Sequence, residues 1–179
     1  MTNMTLHDDT EGERGAELGP IRLPVRFEGH DLFLDIGPGQ LIEHVLALIA
    51  KDHGVLLEDL IVVRDGEDEP ADCAHPVHRD HHHPRHHVHR RNAVAVTVRY
   101  QAGAHQREFR RQAPLERVLD WAIGEFAIDP AMAGEFELTR AGSTEELPLS
   151  EHVGHLAGKH DCLELDLVRG DIANGGSDD

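Results

Sequence analysis

The sequence repeats itself, and this repeat restricts the fold more than any other feature. Three short blocks of the first half recur in the same order in the second half. The pairs are Val25-Arg26-Phe27 with Val98-Arg99-Tyr100, Ile42 to Leu46 with Leu115 to Leu119, and Arg64-Asp65-Gly66 with Arg140-Ala141-Gly142. Similarity that keeps its order along the chain indicates a tandem duplication. The 179 residues are therefore expected to form two small domains with one fold.

Each copy predicts two strands, a helix and further strands. In the first copy, apolar residues alternate from Ile21 to Phe27 and again from Leu32 to Ile36, which predicts a hairpin. An apolar stripe with helical spacing follows from Leu41 to Ile49, and Gly54 is expected to end that helix. A single helix that crosses to a third strand must cover one face of the sheet, because both apolar surfaces leave water only there. The predicted fold class is α+β, with two tandem β-grasp domains, each a mixed sheet packed on one helix.

The chain ends with an alternating strand and then a segment that has nothing to pack. Leu163, Leu165 and Leu167 mark one buried face, and the exposed chain is expected to begin at about Val168. Arg169-Gly170 follows directly, and residues 171–179 form a small acidic segment.

This ending in a duplicated β-grasp chain resembles the ending of ubiquitin-like proteins. Their last strand also finishes in alternating leucines, arginine and glycine, as LELDLVRG does here. Two such domains in one chain resemble the tandem modifier of the interferon response and the bacterial tandem ubiquitin-like modifiers of the Bil and multi-ubiquitin type. The resemblance implies a protein modifier with no catalytic residues of its own, joined to target proteins through an isopeptide bond in antiphage defence.

The resemblance also implies a set of partners. A JAB-type metal-dependent isopeptidase would remove the tail, and an E1-like activating enzyme and an E2-like conjugating enzyme would join Gly170 to targets, which include phage structural proteins. A glycine suits this chemistry, because a Cβ next to the reacting carboxylate would obstruct a narrow enzyme tunnel. Arg169 belongs to the same ending, and Gly176 is the alternative cleavage point.

These expectations give four segments. Residues 1–19 form a disordered N-terminal segment, 20–91 the first ubiquitin-like domain with a histidine-rich end, 92–170 the second ubiquitin-like domain, and 171–179 the removable tail. The first domain has no terminal glycine, so we expect it to stay fused to the second.

Composition excludes several classes of partner. The formal net charge of −17 argues against nucleic acid and against anionic membranes, since both select basic surfaces. The N-terminal residues lack the basic start and apolar stretch of a signal peptide, and no apolar run is long enough to span a bilayer. A cytoplasmic protein is expected.

A histidine-rich stretch, CAHPVHRDHHHPRHHVHRR from Cys73 to Arg91, occupies the place of the first copy's last strand. We expect that strand to be irregular or shortened. Clustered imidazoles can bind Zn²⁺ or Ni²⁺, although the spacing fits no closed zinc template and a polar connector between the domains is the alternative. The candidate ligands are His78, His81, His82, His83, His86 and His87. Apart from such a metal, no cofactor is expected. Two other functions stay open, a non-covalent ubiquitin-like adaptor and a histidine-rich metal-binding protein.

Overall fold

Both copies form the predicted elements. The computed structural model describes residues 19–77 and 84–170. The first copy contains β1 (Ile21–Phe27), β2 (His30–Ile36), α1 (Ile42–His53), β3 (Leu60–Arg64) and β4 (His86–Arg90). The second contains β5 (Ala93–Tyr100), β6 (Gly103–Arg110), α2 (Leu115–Glu125), β7 (Phe136–Arg140), α3 (Val153–Ala157) and β8 (Cys162–Arg169).

Each copy forms a four-stranded mixed sheet with the same topology. The strand orders are β2-β1-β4-β3 in the first unit and β6-β5-β8-β7 in the second. In both units the first two strands form an antiparallel hairpin, and the last strand lies between the first and the third, parallel to the first. Together with one long helix in each unit, this arrangement confirms the α+β class and the two β-grasp units.

Local backbone geometry explains the tight turn and the helix end in the first unit. The β1–β2 turn consists of Glu28 and Gly29, whose φ angles of 48° and 85° are typical of a two-residue hairpin turn. Helix α1 ends at His53, and Gly54 adopts the left-handed conformation while its N–H donates to the Ala50 carbonyl. Both positions agree with the prediction.

Each unit has its own apolar core between the sheet and the long helix. In the first unit, the core side of α1 consists of Ile42, Val45, Leu46, Ile49 and Ala50. In the second unit, the equivalent side of α2 consists of Leu115, Val118, Leu119, Ala122 and Ile123. Burial of these stripes, at about 25 cal/mol for each Å² of apolar surface, is the main favourable term for each unit.

The last strand of the first unit is more regular than we expected. β4 is shorter than β8, as predicted, but it is a continuous strand in the middle of its sheet. Val88 points to the core side, whereas His87 and His89 point to the opposite face, because neighbouring strand residues alternate. Of the two predicted alternatives, the strand is shortened and not irregular, because neutral imidazoles can be buried when another part of the chain covers them.

In the described parts of the chain, 19–77 and 84–170, no helix is long and apolar enough to cross a membrane.

Candidate functional site: the last strand and the surface between the units

The last strand, β8, is anchored along its whole length. Leu163, Leu165 and Leu167 are buried in the second core, as the alternation predicted. On one side β8 pairs with β5 and on the other with β7, where Val168 lies opposite Glu137 and Arg169 opposite Phe136. The exposed chain was expected to begin at about Val168; in the structure Val168 is half-buried, Arg169 is the first exposed residue after Leu167, and pairing with β7 continues to Arg169.

Two further contacts hold the end of β8. The Arg169 guanidinium donates to the Glu135 carboxylate, with 2.8 Å between Nε and Oε2 and a second contact through Nη2. The Gly170 N–H donates to the Glu135 carbonyl over 2.8 Å. Arg169 is exposed and Gly170 half-buried. The strand end is therefore at the surface but held there by Glu135.

Of the two candidate glycines, the structure describes Gly170. Gly170 is the last described residue, and the Glu137 side chain lies next to its Cα. A Cβ at Gly170 would meet only the end of that flexible side chain, which can move aside. Gly176 lies outside the described residues.

Of the candidate metal ligands named from sequence, His86 and His87 lie in the part of the chain that the structure describes. His78, His81, His82 and His83 lie outside the described residues. His86 lies in β4, where its Nδ1 donates to the Pro84 carbonyl over 2.9 Å. His87 lies with three histidines that the sequence analysis did not single out, which are His89, His152 and His155.

These four histidines, called the interface cluster below, lie between the two units. His87 and His89 come from the outward face of β4, and His152 and His155 come from the start of α3. The distance is 2.9 Å from His87 Nδ1 to His155 Nε2, and also 2.9 Å from His89 Nε2 to His152 Nδ1. All four side chains are buried. The rings of His87 and His89 stack, as do those of His152 and His155.

Burial keeps the interface cluster neutral. Removal from water lowers the pKa of His155 to about 2 and that of His152 to about 4, and the neighbouring imidazoles lower both further. The same cause places the pKa of His89 well below its ordinary value and lowers that of His87, which Asp65 partly offsets. Neutral imidazoles can share a dry space, whereas several charged ones would repel each other.

The local sequence pattern places each pair of histidines on one face of its element, but it does not predict that the two pairs meet. His87 and His89 are two residues apart on a strand, and His152 and His155 are three apart at a helix start, so each pair shares one face. Nothing in the local pattern shows that these two faces meet, because the contact joins residues far apart in the chain.

Several contacts around the cluster join the units. Arg26 of β1 donates to Glu151 over 2.8 Å, and the Gly29 N–H lies 3.4 Å from His155 Nδ1. Arg111 is buried and donates to Asn92, Asp161 and the Gly158 and His160 carbonyls, which ties the connection between the units to the loop before β8. These hydrogen bonds compensate most of the polar groups that leave water here, although the buried Nε of Arg26 has no hydrogen-bond partner among the described residues.

The comparisons with known proteins agree with this architecture. Residues 95–170 match the family model described as BilA ubiquitin-like domain 2. The second unit is similar to ubiquitin-like domains of this kind. The predicted resemblance to bacterial tandem ubiquitin-like proteins is confirmed over the matched residues, and the first unit repeats the same topology. A comparison with curated protein sequences finds no match.

Several solved structures also align with parts of the chain. A ubiquitin of Caldiarchaeum subterraneum aligns with 14% identity and a TM-score of 0.37, over 46% of this chain and 99% of that chain. The N-terminal ubiquitin-like domain of the 4931431F19Rik protein aligns with 14% identity and a TM-score of 0.36, over 48% of this chain and 83% of that chain. ATBAG1, solved in complex with HSP70, aligns with 16% identity and a TM-score of 0.36, over 44% of this chain and 41% of that chain.

The close approach of the units predicts a specific need for glycine at position 154. A Cβ on Gly154 would lie 2.7 Å from Cβ of Arg111 in the same unit and 2.8 Å from Nδ1 of His89 in the first unit, so Gly154→Ala should strain both the second unit and its contact with the first. Overpacking of this kind lowers the free energy of unfolding by about 1–3 kcal/mol. We expect the urea midpoint of the full chain to fall.

Gly124→Ala is the matched control. Gly124 lies in α2 with no atom near its absent Cβ, so alanine should preserve or raise stability, because alanine favours helix. Equal urea midpoints for the two variants would contradict the tight packing of Gly154 against Arg111 and His89.

Proposed function

We propose that the chain is a ubiquitin-like modifier that becomes joined to target proteins through a C-terminal glycine, in bacterial antiphage defence. The observation that supports this proposal most directly is the position of Arg169-Gly170. These residues end the last strand of a unit that matches a BilA ubiquitin-like domain, and they reach the protein surface. The same ending motivates the proposed role of Gly170 as the conjugated residue.

The proposed chemistry requires a free glycine carboxylate. A JAB-type peptidase first hydrolyses the bond after the glycine. An E1-like enzyme then joins the carboxylate to the α-phosphate of ATP with release of pyrophosphate, and a cysteine thiolate displaces AMP to form a thioester. After transfer to an E2-like enzyme, a target lysine amine displaces the thiolate and the isopeptide bond forms. The modifier supplies only the carboxylate and the surfaces that these enzymes bind.

Gly170 must leave the sheet before an enzyme tunnel can enclose it. Opening this end breaks the backbone hydrogen bond to Glu135 and the exposed Arg169 ion pair. The free energy lost on this opening is about 0.5–1.5 kcal/mol for the hydrogen bond and about 0–1 kcal/mol for the ion pair. The strand end can therefore fray without unfolding the unit. Cleavage at Gly176 would instead leave a longer arm that contains Asp171.

The first unit enters this proposal as a permanent fusion. β4 ends at Arg90, and the chain passes through Arg91 and Asn92 directly into β5. This connection contains no glycine, and Asn92 accepts a hydrogen bond from Arg111. We therefore assign 20–91 and 92–170 to one modifier with a single conjugation end.

Replacement of each candidate glycine tests the proposal and assigns the end. We expect Gly170→Ala to abolish covalent adducts when the chain is co-expressed with its activating, conjugating and trimming enzymes, whereas Gly176→Ala should conjugate normally. Intact mass measurement of the free protein and its adducts provides the readout. The Gly170→Ala chain should stay folded, because its Cβ meets only the flexible Glu137 side chain.

The opposite result would move the conjugation end to Gly176. An unchanged mass of the wild-type chain, with no heavier adducts, would favour a non-covalent adaptor over a modifier.

The contact between Arg169 and Glu135 predicts an effect on the rate of trimming. Glu135→Gln weakens the ion pair that holds the strand end while leaving Arg169 intact. Since an exposed pair contributes up to about 1 kcal/mol, removal of the tail by the cognate peptidase should accelerate by up to about fivefold. A time course of intact mass measures this rate.

Glu67→Gln serves as the control, because Glu67 forms an exposed ion pair with Arg64 in the first unit. Equal trimming rates for both variants would show that Glu135 does not restrain the cleaved end.

A further inference from the structure

The interface cluster is a chemical feature that conjugation does not require. Each of its four histidines offers one ring nitrogen, and these nitrogens all lie within 4.8 Å of one another. Four neutral nitrogen donors in a dry space are a donor set that Zn²⁺ accepts. The candidate ligands named from sequence all lie in the histidine-rich stretch, which also contains His89 of the interface cluster, and only His87 belongs to both groups.

The spacing of these nitrogens is close to that of a tetrahedral site. Zinc–nitrogen bonds of about 2.0–2.1 Å place the nitrogens of a tetrahedron about 3.3–3.4 Å apart. The two closest pairs, at 2.9 Å, would separate slightly, and the widest, up to 4.8 Å, would contract. Small rotations of the imidazoles achieve both changes without a rearrangement of the backbone.

The backbone holds both histidine pairs in place. His87 and His89 lie on a strand that is hydrogen-bonded to neighbours on both sides, opposite Val63 and Ile61. His152 and His155 lie at the start of α3, where the Val153 and Gly154 N–H groups donate to the Ala113 and Arg111 carbonyls. The ligands are therefore positioned before a metal arrives, which lowers the entropy cost of binding.

A carboxylate supports one of the ligands from behind. His87 Nδ1 faces the cluster, while its Nε2 lies 3.2 Å from Asp65 Oδ1. Metal-binding histidines generally donate their second ring N–H to such a partner, which fixes the tautomer and strengthens the ligand. For His155, zinc at Nε2 would place the proton on Nδ1, so the long 3.4 Å contact with the Gly29 N–H would be lost.

We propose that His87, His89, His152 and His155 bind one Zn²⁺, which fastens β4 of the first unit to α3 of the second. All four positions would be occupied by protein nitrogens, so the site has a structural role and leaves no position for substrate or activated water. Without a thiolate ligand, its affinity should be lower than that of cysteine-containing zinc sites. The metal would fix the orientation in which both ubiquitin-like surfaces are presented.

The test must separate this site from the other histidines of the histidine-rich stretch. We therefore begin with a full-length chain in which His81, His82 and His83 are replaced by asparagine, called the reference chain. After removal of metal, it is titrated with Zn²⁺ against a competing chelator. We expect one zinc per chain, with an X-ray absorption spectrum that shows four nitrogen neighbours at about 2.0–2.1 Å.

Two further variants locate the site in the reference chain. His89→Gln with His152→Gln should weaken zinc binding at least about 100-fold, because two of four ligands are lost. Asp65→Asn should weaken it about 10-fold, since Asp65 only supports His87. Circular dichroism and melting of the metal-free forms show whether each variant is folded.

Several results would overturn the proposed zinc site. Binding of less than one zinc by the reference chain, or a metal with water in its first shell, would overturn it even without a ligand variant. Undiminished binding by the folded double variant would also overturn it. If the double variant unfolds, the X-ray absorption spectrum of the reference chain and the zinc titration of Asp65→Asn decide whether the four histidines bind zinc.

Discussion

The contact between α3 and the outward face of β4 is the interaction on which the rest of the structure depends. In an isolated β-grasp unit this face of the sheet would lie in water. Here His87 and His89 are buried on it, together with Ile61 and Val63, which lie outside both apolar core clusters. Since residues opposite each other in an antiparallel pair share a face, these four side chains form one buried surface. A second packing surface therefore joins the two separate apolar cores.

This surface explains why a histidine-rich strand can occupy the middle of a sheet. On the core side of this strand, Val88 belongs to the apolar cluster of the first unit. On the opposite side, His87 contacts His155 and His89 contacts His152. Gly154 allows the approach, because any side chain there would collide with Arg111 and His89. Charged side chains at the same positions would need partners or water, whereas neutral histidines can exchange hydrogen bonds with each other.

The sequence predicts the fold well because the fold follows from local patterns and from the repeat. Alternation along Ile21–Phe27 and the helical stripe of α1 each correspond to observed elements. The interface cluster could not be predicted, since His87 and His155 meet through packing that no local period encodes. For the same reason the extent of β8 was underestimated. The leucine alternation ends at Leu167, but pairing with β7 extends the strand to Arg169.

The two units have different ends, and this difference suggests a division of roles. The first continues without a glycine into β5 and is fixed by the interface, while the second ends in Arg169-Gly170 at the surface. In the proposed modifier, a fixed pair of units would present two surfaces in one orientation while offering a single carboxylate. Such a modifier differs from two ubiquitin-like domains on a flexible linker, which would sample many orientations.

A fixed orientation of the two units requires that they behave as one body. Differential scanning calorimetry of the metal-free full-length chain measures this directly, because coupled units unfold in one transition. We predict a single peak whose calorimetric and van't Hoff enthalpies agree. Two separate transitions, or a calorimetric enthalpy about twice the van't Hoff value, would contradict the account and show that the units unfold independently.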